Sequence, residues 1–218
     1  MNPVKIKICG LTRSEDVKTV VAAGADAVGF VFTASPRRIS AEQAIQLSAH
    51  VPDGVLRVGL FLDQDKAEIK RVLNVVALDL LQFHGRETGQ QCEEFGIPYL
   101  KAVAMTDGGS ATQAERDYPG AVGLLLDSHT TGQPGGSGKV FDWTMSRPQS
   151  KQVWLAGGLT AENVGRAIRT LRPYAVDVSS GVEASPGIKD AARIGAFVAA
   201  VRQADKQMED EFQRGNER

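Results

Sequence analysis

VWLAGGLTAENVGRAIRTLRPYAVDVSSGV, residues Val153 to Val182, contains two short apolar runs, Val153–Ala156 and Ala175–Val178. Each breaks into a turn of small residues, Gly157-Gly158 after the first and Ser179-Ser180-Gly181 after the second. Four or five apolar residues bounded by glycine or serine have the length and composition of a buried parallel strand. Between the runs, Val164, Ala167, Ile168 and Leu171 recur at helical spacing within Thr160–Arg172, and Thr160 with Glu162 and Asn163 makes a helix start. The stretch therefore reads as a strand–helix–strand unit with a small-residue turn at the carboxyl end of each strand.

Such turns suit an anion. Glycine lets the backbone approach a ligand closely, and the free N–H groups of a helix start point at it. Glycine often serves a tight turn and nothing more, but here two such turns follow successive parallel strands. In eight-stranded α/β barrels, phosphate sits in the turns after strands seven and eight. Gly157, Gly158, Ser180 and Gly181 are accordingly the expected anion cradle.

The rest of the chain fits that placement. Strands are expected at Val4–Cys9, Ala27–Phe32, Leu56–Leu62, Leu78–Phe83, Tyr99–Val103 and Gly123–Asp127, ahead of the two already described. Helices are expected at Ser14–Ala23, Ser40–His50, Asp65–Val75, Thr88–Phe95, Ala111–Tyr118 and Asp190–Lys206, with Ser14 and Ser40 as caps. Eight strands alternating with helices imply a parallel sheet. Packed into 218 residues, they favour closure, a single-domain (β/α)8 barrel of the TIM type over residues 1–206. The polar stretch from Gln207 to Arg218 reads as a frayed helix end.

Composition narrows the partners. A net charge of -1 gives no basic excess for nucleic acid or an anionic membrane surface. No apolar run approaches the ~20 residues of a membrane span, and the start MNPVKIK lacks a signal-peptide core. Two cysteines, Cys9 and Cys92, make no disulfide framework, so a reducing cytoplasm is the expected compartment.

Barrel chemistry sits at the carboxyl ends of strands. There the chain places Cys9 in KICG, Arg37 in SPRRIS, Asp63 after strand three, His84 in QFHG and Asp127 in LLLD. The segment Ser128–Val140 follows, with Gly132, Gly135, Gly136 and Gly138, and its length suits a lid or binding loop. Each residue also has a plainer role. Cysteine is among the most buried residue types, a strand-end histidine is often just hydrogen-bonded, and Arg37 and Asp127 could be solvated loop charges.

Together the motifs resemble the phosphoribosylanthranilate isomerase family. The resemblance runs from about Val4 to about Ala200 and rests on KICG with Thr12, GADAVGFVF, SPRRIS, VGLF, QFHG, GGSGKVFDW, LAGGL with Glu162-Asn163-Val164, and DVSSGVE followed by Pro186-Gly187 and Lys189-Asp190. Each motif is weak alone; their order is specific. Phe83 departs from the leucine more usual before His-Gly. The resemblance implies an Amadori rearrangement of a sugar phosphate, with Cys9 as general base, Asp127 as general acid and Arg37 binding the anthranilate carboxylate. It implies no metal or organic cofactor and a monomer or homodimer.

The chemistry sets demands. As base, Cys9 must be thiolate part of the time, and Lys7 and Arg13 are the nearby cations able to lower its pKa. As acid, Asp127 must hold a proton, which burial behind three leucines favours. Asp177 reads as structural and Cys92 as inert. Three other activities remain open at this point: an imine-forming aldolase using Lys101, the related histidine-pathway isomerase, which typically uses two aspartates, and a barrel that binds phosphate ligands without turnover.

Overall fold

Eight parallel strands close into a barrel in chain order: β1 (Lys5–Cys9), β2 (Ala27–Val31), β3 (Leu56–Phe61), β4 (Leu80–Phe83), β5 (Tyr99–Ala104), β6 (Gly123–Asp127), β7 (Gln152–Leu155) and β8 (Ala175–Val178). The computed structural model describes residues 2–105, 108–128, 140–144 and 148–216. The seam is a parallel pairing of β1 with β8 that sets Lys7 opposite Asp177 and Ile8 opposite Val178. The expected barrel is thus observed, and the anticipated β6 and β8 coincide with the observed strands. The glycine-rich Ser128–Val140 segment, expected as a lid, lies outside the described residues from 129 to 139.

The helices are α1 (Ser14–Ala22), α2 (Ala41–Ser48), α3 (Lys66–Leu73), α4 (Gly89–Glu93), α5 (Ala111–Asp117), α6 (Val164–Leu171) and α7 (Ala191–Asn216). Ser40, Asp65, Thr88 and Ser110 cap the second to fifth of these, each side chain accepting from the N–H three residues on. Ser14 does not cap α1; it is the first helical residue, and Arg13 occupies the cap without a side-chain bond. α6 begins later than expected because Asn163 closes the preceding turn. Its side chain accepts from the Thr160 N–H and donates to the Gly158 carbonyl.

The last helix runs on into the segment expected to fray. α7 is a single helix of 26 residues, and Gln207 to Asn216 continue it. No glycine or proline interrupts the chain between Gly195 and Gly215, and Met208 packs against the core. Buried Ile194, Phe197, Val201 and Ala204 recur at three- and four-residue spacing, which presses one face of the helix onto the barrel. No described helix is long and apolar enough to cross a membrane.

Side chains sort by strand face. Ala27, Val58, Leu80, Leu100, Ala102, Leu125, Trp154, Ala156 and Ala175 form one cluster that fills the barrel. A second, larger cluster, including Ile6, Ile8, Phe61, Leu81 and Leu124, lies between strands and helices. Because side chains alternate, Gln82 and His84 share the inner face with Leu80, Asp127 with Leu125 and Asp177 with Ala175. Lys7 pairs in register with Ala27 and Asp177, so it points inward too. Lys101 lies between Leu100 and Ala102 and points outward. Its ammonium is buried against the helix layer, donating to the Phe83 and Gly85 carbonyls and to Glu87 at 3.2 Å.

That outward lysine gives a stability prediction. Lys101→Met leaves the buried Glu87 carboxylate without its cation, held only by the Asp63 and Gly85 N–H groups, and the loss should be about 3 kcal/mol in urea unfolding. Lys101→Met combined with Glu87→Gln should recover part of it. Equal midpoints for wild type and the single variant would show that the pair is not needed.

Candidate active site

One cavity opens at the carboxyl ends of the strands. Its lining includes Cys9, Arg37, His84, Asp127, Gly157, Gly158, Ser180 and Gly181; of the strand-end residues singled out from sequence only Asp63 lies off it, its N–H bonded to Glu87 and its carboxylate to the Arg86 N–H. Asp177 and Gln82 form part of its inner wall. Lys101, the strand lysine an imine-forming enzyme would use, faces away from it.

Cys9 ends β1 and is buried. Gly29, its register partner on β2, makes room for the thiol: a Cβ there would come within 2.6 Å of the sulfur. Burial pushes the thiol above its ordinary pKa, while the charges of Lys7 and Lys189 pull it down. Arg13 does not contribute; it forms a pair of hydrogen bonds with Asp16, at 3.0 and 2.6 Å, and an ion pair with Glu15 at 3.2 Å. Cys92 sits in α4 away from the cavity, and burial pushes its thiol up to about 12, in keeping with an inert role.

Asp127 ends β6 with its carboxyl buried, and His84 follows β4 two strands away. Nε2 of His84 lies 3.4 Å from Oδ2 of Asp127. The Gln82 side-chain amide lies 3.1 Å from Nδ1 on the other side of the ring. With that amide donating, the neutral ring carries its proton on Nε2, toward Asp127.

Arg37 comes from the loop after β2 and is held by Glu183. Its Nε and Nη2 donate to the two carboxylate oxygens at 2.8 and 2.7 Å, a bidentate fork. Glu183 also accepts from Lys189 at 2.9 Å and from the Gly187 N–H at 3.3 Å. Burial works against the charge on Glu183, but Arg37 and Lys189 outweigh it and hold the carboxyl below its usual range. These partners sit on a hairpin absent from the sequence expectation, β9 (Glu183–Ser185) with β10 (Ile188–Lys189). The signal for it is the Pro186-Gly187 turn in the motif that follows β8.

The two turns lie side by side. Gly157 and Gly158 follow β7 with φ of 85° and 61°, conformations that suit glycine. Ser180–Val182 forms a short 3-10 helix after β8. A Cβ on Gly181 would meet the Leu159 carbonyl oxygen at 2.0 Å, so only glycine lets the second turn pass so close to the first. Among the described residues, no group of three or more His, Cys, Asp or Glu side chains is arranged to hold a metal ion.

Comparison with known proteins matches this geometry. The family model for N-(5'phosphoribosyl)anthranilate (PRA) isomerase covers residues 6–200. The N-(5'-phosphoribosyl)anthranilate isomerase of Pseudomonas putida strain GB-1 is 51% identical over 206 residues, spanning 94% of this chain and 100% of that one. The crystal structure of phosphoribosyl anthranilate isomerase from Thermus thermophilus superposes with a TM-score of 0.82 at 37% identity, covering 92% of this chain and 99% of that one. A phosphoribosyl anthranilate isomerase solved with reduced 1-(o-carboxyphenylamino)-1-deoxyribulose 5-phosphate superposes with a TM-score of 0.74 at 38% identity, over 92% of this chain and 99% of that one. Sequence motifs, barrel and cavity agree with these relatives, and the chain belongs to the N-(5'-phosphoribosyl)anthranilate isomerase family.

Proposed function

We propose that this chain converts N-(5-phospho-β-D-ribosyl)anthranilate into 1-(2-carboxyphenylamino)-1-deoxy-D-ribulose 5-phosphate, the Amadori step of tryptophan biosynthesis, with Cys9 as base and Asp127 as acid. The observation that carries the assignment of roles is the shared cavity, which holds a thiol, a carboxyl group, a guanidinium and a paired backbone turn at one barrel mouth. The Gly157-Gly158 and Ser180-Gly181 turns are where the phosphate binds. They orient the sugar across the mouth, between β1 on one side and β6 on the other.

Asp127 gives its proton to the furanose ring oxygen as the C1–O bond breaks, and the aniline nitrogen supports the resulting iminium. The Nε2–H of His84 faces the carboxylate left behind and keeps it oriented. The Cys9 thiolate then removes the proton on C2, which yields an enolamine. Loss of the hydroxyl proton and protonation at C1 complete the ketone. Arg37 uses Nε and Nη2 on Glu183 and keeps Nη1 for the carboxylate of the anthranilate ring, already oriented before substrate arrives. The aniline nitrogen supplies the imine that a lysine would otherwise provide, so the chemistry calls for no organic cofactor. Two free, separated cysteines suit a reducing cytoplasm, where the enzyme would work as a monomer or homodimer.

Three outcomes follow from these roles. In a fluorescence assay of substrate loss, Cys9→Ala and Asp127→Asn should each lower kcat by roughly 10²–10⁴-fold while substrate still binds. Near wild-type kcat in Cys9→Ala would remove the thiol from the base role. Arg37→Ala should impair turnover of the natural substrate far more than turnover of an analogue without the ring carboxylate, and equal losses would reject that pairing. Gly181→Ala forces the second turn away from Leu159, so KM for substrate and the inhibition constant of inorganic phosphate should rise together. If neither moved, the phosphate would bind elsewhere.

A further inference from the structure

We propose that Lys7 is the positioning residue that sets the Cys9 thiolate, with Asp177 as its counter-ion across the barrel seam; this rests on the assignment of Cys9 as base. Lys7 lies two residues before Cys9 on β1, so both side chains leave the strand on the inner face. The lysine is fully buried, which rules out solvation of its ammonium. Its Nζ lies 2.7 Å from Oδ2 of Asp177, which is also buried and lines the same cavity as Cys9. The second Asp177 oxygen has no hydrogen-bond partner among the described residues.

A purely structural pair would be hard to account for here. Burying two charges is expensive, and apolar residues of similar volume are often as stable or more so. The pair also sits under the mouth of the barrel, where Ala27, Ala175 and Leu125 show that apolar filling is available. What the lysine adds is a positive charge next to a sulfur that must lose its proton. Against the burial that works to discharge it, Asp177 and Cys9 keep Lys7 protonated.

The charged groups facing the thiol come from four elements. Lys7 on β1 and Lys189 on β10 favour the thiolate, Asp177 on β8 disfavours it, and Arg37 in the loop after β2 gains from it. Lys189 is divided among Glu183 and the Ser179 carbonyl and hydroxyl. Among the described residues Lys7 has Asp177 as its one ion-pair partner, and Asp177 carries a single negative charge. The charge of Lys7 acts on the sulfur more strongly than that of Asp177, so the pair as a unit favours the thiolate.

The test reads the thiol directly, as the pH dependence of iodoacetamide labelling at Cys9 followed by peptide mass mapping. In Lys7→Met the labelling midpoint should move to higher pH, with labelling near neutral pH slowed at least ~10-fold. Asp177→Asn should move the midpoint the other way, because the ammonium then has the thiolate as its counter-charge. If Lys7→Met fails to fold, Lys7→Met combined with Asp177→Asn removes both charges and should still raise the midpoint. In whichever lysine variant folds, kcat should fall with KM nearly unchanged. Lys5→Met is the control: it lies about 13 Å from Cys9 along the strand, so its labelling profile should match wild type. An unshifted midpoint in the lysine variants, or shifts of the same sign in Lys7→Met and Asp177→Asn, would overturn the proposal. Because labelling needs no turnover, that result is distinct from an active Cys9→Ala, which would instead sink the base assignment.

Discussion

The barrel closes on a charge pair. Lys7 and Asp177 face each other where the first strand meets the last, at 2.7 Å and out of solvent. Among the described residues, this is the one ion pair between side chains on adjacent strands of the barrel. Closure brings the two groups within range, and each needs the other to remain charged in a low-dielectric interior. The register of β1 against β8 is thereby tied to chemistry as well as to hydrogen bonding. A slip of one residue would turn Lys7 toward the helices and Ile8 into the lumen.

From that seam the site divides into a strand-borne half and a loop-borne half. The first consists of Cys9 on β1, Gln82 on β4, Asp127 on β6 and Asp177 on β8, with His84 just past the end of β4. The other half is carried by loops and the β9–β10 hairpin, where Glu183 grips Arg37 and Lys189 bridges Glu183 to Ser179. The groups proposed to move protons thus sit on or beside barrel strands. The groups proposed to recognise the two ends of a substrate sit on segments held by side-chain bonds. Such a division lets recognition be tuned without disturbing the distances that proton transfer needs.

Much of this was legible in the chain because barrels obey a simple placement rule. Cys9, Arg37, His84 and Asp127 are far apart in sequence, yet each follows a strand, and strand ends converge. What escaped was anything decided by alternation or by distant pairing. Lys5 and Lys7 look like one polar face of a half-exposed strand, but only Lys5 reaches solvent; Lys7 points into the lumen beneath the thiol. Glu183 and Lys189 look like surface charges around a Pro-Gly turn, and their importance depends on Arg37, 146 residues away. Thr160 looks like a helix start because its residue type is right. The Asn163 side chain satisfies the turn backbone first and delays the helix, a local competition that residue preference alone does not resolve. The tail looks polar and loose by composition, but Met208 and a run of good helix formers carry α7 on to Asn216.

The first strand is tied along one edge to the end of the chain. Asp205 accepts from the Val4 N–H, Arg202 donates to the Val4 carbonyl, and β8 supplies one complete edge of β1. During synthesis on the ribosome, β1 is made first and can pair early with β2, but its other edge stays open until β8, 170 positions later, emerges. Through that interval the lysine and the thiol share a strand with one side unpartnered. Cys9 acquires its electrostatic setting only in the final act of assembly. With Cys9 in its proposed role as base, chemical competence is a record of ring closure, and partly built chains stay silent however many of their strands have formed.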